Sequence, residues 1–163
     1  MSFEELQKTD SYKKLGIDVV AFFAIDFFGL IFLFGGIYGD SFLIVFGIIT
    51  MVFSSWGLYY FAKQMNDIKK YAKTFKKAEG KVVNFEQSGL FTHLVAVFVD
   101  DENEERRMLS TDTLRRYVVD AYLEKKLDIY YSPKFKTVLI YDPSTEEVLT
   151  QKEEEKEDDP YAL

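Results

Sequence analysis

Two stretches decide the fold of this chain: IDVVAFFAIDFFGLIFLFGGIY, from Ile17 to Tyr38, and FLIVFGIITMVFSSWGLYYFA, from Phe42 to Ala62, separated only by Gly39-Asp40-Ser41. Each run holds about 20 residues, which as a helix rising ~1.5 Å per residue crosses a hydrocarbon core of ~30 Å. So short a turn brings the second helix back beside the first. The expectation is a transmembrane helical hairpin over residues 17–62. The first run is longer than the apolar part of a cleavable signal sequence, lacks a small-residue cleavage site and is followed at once by the second. Both runs are therefore expected to persist as spans.

The flanking charges give the hairpin a direction. Lys8, Lys13 and Lys14 precede the first run, none lies in the turn, and Lys63, Lys69, Lys70, Lys73, Lys76, Lys77 and Lys81 follow the second. Positive charge is retained on the cytoplasmic side, so a multi-pass protein of the inner (plasma) membrane with both termini cytoplasmic is expected. Trp56, Tyr59 and Tyr60 then fall at the inner interface and Tyr38 at the outer one, as aromatic belts do.

Asp26 is the acid set deep in the apolar runs. A carboxylate there costs on the order of 2.5–3.5 kcal/mol, so it is expected to be protonated, hydrogen-bonded or facing other protein. Folding the hairpin about Asp40 brings Asp26 level with Ser54 and Ser55. Three readings follow: a polar clasp within the hairpin, a contact with another copy or a partner, or a station on a proton or ion path. Gly29, Gly35, Gly36, Gly39, Gly47 and Gly57 allow close helix approach; Gly35 and Gly39 formally make a small-xxx-small pair, but the last glycines are expected to serve the tight turn instead.

The rest of the chain is polar. The mean hydropathy of −0.10 averages a greasy first third with a charged remainder. Most of the net charge of −7 sits between Glu146 and Asp159, where eight acids face two lysines. Residues 146–163 read as an acidic disordered tail. Between Lys63 and Glu79, Met65, Ile68, Ala72 and Phe75 recur at helical spacing, which predicts a basic juxtamembrane helix over 63–79. Its Lys69, Lys70, Lys73, Lys76 and Lys77 each add ~1 kcal/mol of attraction near an anionic leaflet and are the candidate membrane-surface residues, lipid being one expected partner.

From Gly80 the period becomes strand-like, and residues 80–145 read as a cytoplasmic β-rich domain. Strands are predicted at Lys81–Gln87, Thr92–Val99, Glu105–Ser110, Leu127–Tyr131 and Thr137–Asp142, with turns at Gln87-Ser88-Gly89 and Asp100-Asp101-Glu102-Asn103. Both alternate sets of Thr92–Val99 are apolar, so that strand is expected to be covered on both faces. A helix is expected from Asp112 to Lys125, capped by Ser110 or Thr111 and burying Leu114, Tyr117, Val118, Ala121 and Tyr122. The fold class expected is therefore a membrane α-helical hairpin plus a small α+β domain. The sheet in it is mostly antiparallel, or a partly open barrel with one helix, of about the size of an oligonucleotide-binding-type barrel.

Gly80-Lys81-Val82-Val83 and Ile129-Tyr130-Tyr131-Ser132-Pro133 resemble a loosely defined group of bacterial membrane proteins of unknown function. In these, transmembrane helices carry a small β domain with a Gly-x-Val-Val start and a Tyr-x-Pro strand end. The resemblance implies a membrane-anchored β domain and brings no catalytic residues with it.

Chemistry is sparse. The chain has no cysteine, and His93 is its one histidine. No thiolate zinc site, cysteine nucleophile or two-histidine metal site can be built, and His93 is expected to be structural or solvent-facing. Asp100, Asp101, Glu102, Glu104 and Glu105 lack the spacing of a calcium loop and read as a solvated hairpin tip. Phosphate-loop, dinucleotide and hydrolase motifs are missing, and no aromatic-rich basic surface suggests nucleic acid. No cofactor, metal or small-molecule substrate is expected. The expected function is that of a non-enzymatic membrane accessory or adaptor protein that binds a protein partner through its β domain, including immunity-type protection against a membrane-acting toxin. The alternative is a homo-oligomeric channel or transporter subunit with Asp26 in its polar seam.

Overall fold

The structure, a computed structural model, describes residues 1–39, 41–88, 91–111, 122–123 and 125–143. A short helix α1 (Phe3–Gln7) leads into two long helices, α2 (Asp10–Ile37) and α3 (Ser41–Lys70). A 3-10 turn (Ala72–Thr74) then opens a five-stranded barrel: β1 (Lys76–Ser88), β2 (Phe91–Val99), β3 (Glu105–Ser110), β4 (Lys126–Tyr131) and β5 (Thr137–Tyr141).

Each long helix overshoots its apolar run at the same end. With 28 and 30 residues they reach about 42 and 45 Å, more than a ~30 Å hydrocarbon core requires. Both are long and apolar enough to cross a membrane, and only 17% of each apolar window is buried within the protein. A core helix of a water-soluble domain would be mostly covered. Here Val20, Phe23, Phe27, Phe34 and Val52 are all more than half exposed, an apolar surface that water does not tolerate.

The seam between the helices follows a seven-residue repeat that was not read from the sequence. Leu15, Phe22, Gly29 and Gly36 are buried on α2, and Gly47, Ser54, Phe61 and Ile68 on α3. Such spacing keeps one stripe facing the partner helix through a left-handed supercoil. The stripe is graded in size. Near the turn it is glycine: a Cβ on Gly47 would lie 2.9 Å from the Leu33 amide nitrogen and 3.0 Å from the Gly29 carbonyl oxygen. Toward the far end it becomes Phe22 and Phe61, with ring centroids 5.7 Å apart, and the Phe22 ring occupies the notch left by Gly57. The formal Gly35–Gly39 pair lies outside the seam, and the turn role expected of the last glycines falls to Gly39. Gly35 makes only an ordinary contact with Leu43, and Gly39 serves the turn with φ +135°.

The barrel is closed, in the order β1-β2-β3-β5-β4, which corrects the expectation of a partly open one. Closure depends on β1. Its first half pairs with β4, from Lys76 opposite Tyr131 to Lys81 opposite Lys126, and its second half pairs with β2, from Gly80 opposite Phe98 to Ser88 opposite Phe91. At Gly80 both neighbours are present, and a Cβ there would meet the Val97 carbonyl oxygen at 2.7 Å and Ile129 Cγ1 at 2.8 Å. A bulge between Val82 and Asn84 adds the bend. β3 and β5 run parallel through Leu109–Thr137 and Ser110–Val138, a pairing the sequence did not announce.

This architecture moves one predicted boundary. The expected helix over 63–79 ends at Lys70, and Lys76–Gly80 are strand. Apolar spacing alone ran through the junction, but β4 supplies a hydrogen-bonding partner for Lys76–Lys81, and tertiary pairing overrides local pattern. The expected helix falls on residues 112–121 and 124, outside the described residues. Tyr122 is in a turn, and Leu123 bridges Val82. The acidic tail 146–163 also lies outside them.

Val82, Leu94, Ala96, Phe98, Leu127, Ile129, Tyr131, Val138 and Ile140 fill the barrel. A second cluster lies outside it. Tyr130 and Leu139, which face away from the barrel interior, pack with Leu6, Leu15, Phe61, Ile68, Ala72 and Phe75 at the base of the hairpin. Each such buried side chain contributes ~1.5–3 kcal/mol. Two polar contacts reinforce the junction: the Ile140 amide donates to Ser11 Oγ at 2.9 Å, and the Asp142 amide to Asp10 Oδ2 at 3.0 Å. β5 has only two residues paired to β3, so these helix side chains satisfy amides on its remaining edge.

Candidate functional site

Three constellations carry polar groups that a function could use. The first is the seam between α2 and α3. Ser54 Oγ donates to Asp26 Oδ1 at 2.6 Å and also approaches the Met51 carbonyl oxygen at 3.1 Å. Ser54 is fully buried, whereas Ser55 is exposed on the outside of α3 and does not join the pair. The turn at Gly39–Ser41 sets this level, since helices folded about it bring residues 26 and 54 to the same depth. Asp18 is a second buried acid of α2, only 2% exposed. It lies on the same face as Leu15 and Phe22, at the N-terminal margin of the first apolar run, where sequence reasoning passed it over.

The second is the loop between β2 and β3. Asp100 Oδ1 accepts from the amides of Glu102 at 2.9 Å and Glu104 at 3.0 Å, Asn103 takes up φ 61°, and Arg106 Nε donates to Asp100 Oδ2 at 2.5 Å. Burial opposes charging of Asp100, but the Glu104 amide, the Arg106 guanidinium and the Glu102 amide together hold its carboxyl below the ordinary range. The adjacent Asp101 receives both the Lys76 ammonium and, at 2.5 Å, the Tyr131 hydroxyl. Lys76 first and Tyr131 second bring its pKa down to about 2. Together with Pro133 and Phe135 these groups line a cavity of about 400 Å³. The carboxylates of Asp100, Glu102 and Glu104 lie within 4.8 Å of one another, yet both Asp100 oxygens are committed to the turn and to Arg106. The predicted hairpin tip is thus an ordered clasp from β1 and β4 onto the loop.

The five candidate membrane-surface lysines separate. Lys69 and Lys70 close α3, where cations suit the helix C-terminus, and Lys73 is exposed in the 3-10 turn. Lys76 and Lys77 stand on β1 and pair with Asp101 and Asp128, the latter at 2.7 Å. His93 is buried on β2, its Nδ1 3.2 Å from the Ser110 carbonyl oxygen, in a structural setting.

The third constellation lies between α3 and the barrel and was missed at the level of sequence, because its walls are far apart in the chain. Tyr59, Tyr60, Lys63, Gln64 and Asp67 form one side, and Thr111, Phe135 and Thr137 the other, around a cavity of about 300 Å³. Beside it Phe91, at the start of β2, stacks on the lining residue Tyr60 with centroids 5.6 Å apart and approaches Trp56 at 6.4 Å. Among the described residues, Thr111 Oγ1 is the buried side-chain polar atom with no hydrogen-bond partner.

Comparison with protein-family models, with curated proteins and with solved structures finds no match to this chain. What the fold defines is a class: an apolar helical hairpin whose base is packed to a closed five-stranded β-barrel.

Proposed function

We propose that this protein is a membrane-anchored adaptor that presents its barrel, at the cytoplasmic face of the inner membrane, to a protein partner. Both termini lie in the cytoplasm in this reading, and the acidic tail is a further contact. The observation that carries it is the cluster joining Leu6, Leu15, Phe61, Ile68, Tyr130 and Leu139. A tether would need no such cluster, whereas a module that must offer a defined face above the bilayer does. The resemblance to membrane proteins carrying a small β domain agrees with this reading. One end of the barrel is turned toward the hairpin: Phe91, at the start of β2, packs on Trp56, Tyr60 and Phe61, and Phe135, between β4 and β5, on Tyr71 and Phe75. The outward face therefore lies on β1, β2, β3 and the start of β4, where Val99 is 51% exposed beside a shallow cavity of about 320 Å³ lined by Glu79, Lys81, Glu105 and Lys126.

Photocrosslinking in intact membranes tests the proposal. A crosslinker at Val99 should give one discrete protein adduct that Glu79→Lys with Glu105→Lys abolishes, while a crosslinker at Phe27 gives lipid adducts. A protein adduct at Phe27 and none at Val99 would move the contact to the hairpin, as an immunity-type role against a membrane-acting toxin requires. The bond from Ser54 to Asp26 favours a clasp within the hairpin over an ion path. Wild-type ion flux in proteoliposomes that Asp26→Asn removes would reverse that preference.

A further inference from the structure

We propose that the cleft between α3 and the barrel is a phospholipid headgroup site, selective for a phosphoethanolamine-type headgroup whose phosphate meets Lys63 and whose ammonium meets Asp67. The inference rests on the reading that α2 and α3 span the membrane.

Four observations converge. Lys63 and Asp67 line the same cavity of about 300 Å³. They lie one helical turn apart, ~6 Å along the axis, in the Lys-before-Asp order that pairs less well within a helix. Among the described residues neither is in an ion pair; Lys63 lies over the Tyr59 ring at 5.9 Å. Two opposite charges left open on one wall match a zwitterion better than they match an anion or a cation alone.

The approach is also built. Val52, Trp56, Tyr59 and Lys63 follow one another at spacings of four, three and four, which places them on one stripe of α3. The first three are 67%, 49% and 67% exposed. An acyl chain lying along Val52 and Trp56 is thereby led to a headgroup position at Lys63, with the phosphate nearer the bilayer than the ammonium. On α3, Gln64 adds an amide between the two charges in sequence, and Thr111, Phe135 and Thr137 form the barrel wall opposite.

The test uses the full chain. Flotation with liposomes comes first, and a chain that fails to float removes the membrane reading and this inference together. A chain that floats is then purified in mild detergent from membranes holding equal phosphatidylethanolamine, phosphatidylglycerol and phosphatidylcholine, and the retained lipid is measured by mass spectrometry. Wild type is expected to retain phosphatidylethanolamine preferentially. Lys63→Gln should lower retention of all three lipids. Asp67→Asn should keep lipid but lose the preference for phosphatidylethanolamine over phosphatidylglycerol by about tenfold, the equivalent of one charge-assisted contact. Retention in proportion to supply, or an unchanged pattern in both variants, overturns the site. Soluble phosphoethanolamine that raises the melting temperature of delipidated protein as much as a short-chain phosphatidylethanolamine does would overturn the assignment to lipid.

Discussion

At the scale of single residues, the pair Ser54–Asp26 makes the most direct prediction. Ser54→Ala leaves a carboxyl in the apolar seam with its donor removed, while Asp26→Leu with Ser54→Ala removes both partners. Interhelical hydrogen bonds of this kind couple by about 0.6–1.7 kcal/mol. Unfolding in mixed micelles should therefore show Ser54→Ala less stable than the double variant; equal stabilities would mean that the 2.6 Å bond contributes nothing. Asp101 gives a second prediction, with a definite sign. Its pKa is depressed from 3.8 to about 2, so the stability it adds is complete above pH ~4 and disappears as pH falls through about 2. Lys76, whose pKa is raised above 10.5 by the Asp101 carboxylate, loses its contribution only as pH climbs past that value. Acid melting curves of Asp101→Asn should be flatter than wild type between pH 4 and 2. Superimposable curves would show that the clasp does not reach global stability. Gly80→Ala is the third case: a methyl 2.7 Å from the Val97 carbonyl oxygen must displace β2 or β4. A loss of about 1–3 kcal/mol is expected from thermal or chemical melting of the barrel, as overpacking usually costs.

At the scale of elements, the legible and the hidden separate by the range of the interaction that fixes them. The two long helices and all five strands, save the start of β1, stood in the sequence, because apolar length and strand-like runs bounded by turns are local. The depth match of Asp26 with Ser54 was also legible, since a short turn makes it arithmetic; Ser55 was named beside it because helix rotation, which distinguishes the two, depends on the whole seam. The start of β1 was not legible, because Lys76–Gly80 become strand through β4, some fifty residues away. The cleft at Lys63 and Asp67 was hidden for the same reason. The seven-residue stripe was present but masked by apolar residues on every side of both helices, where burial cannot be told from lipid exposure. Its test is Gly47→Leu, which must push α3 away from the Leu33 amide. The chain has no cysteine, so a disulfide between cysteines placed at Gly29 and Met51 can be scored without background. It should form in the parent and be suppressed by Gly47→Leu. Equal formation in both would show that the helices meet elsewhere.

At the scale of the molecule, the hairpin and the barrel are expected to unfold together at their junction. Phe61→Ala removes a fully buried ring from the shared cluster and should cost about 3–5 kcal/mol. Hydrogen exchange would locate the damage. The amides of Ile140 and Asp142, held by Ser11 and Asp10, should lose protection, while β1–β2 amides near Gly80 should not. Uniform loss throughout the barrel would mean that the barrel has no stability apart from the helices.

The exit from α3 has a mechanical meaning. The chain passes from Lys70 to Lys76 through a single 3-10 turn whose Ala72 and Phe75 are buried, so no slack separates the helix from the strand that closes the barrel. A hairpin whose apolar runs exceed the hydrocarbon thickness around it relieves the mismatch by leaning. In this molecule a lean of the helices would also be a turn of the barrel, so the direction in which the barrel points would follow the thickness of a membrane that held the hairpin.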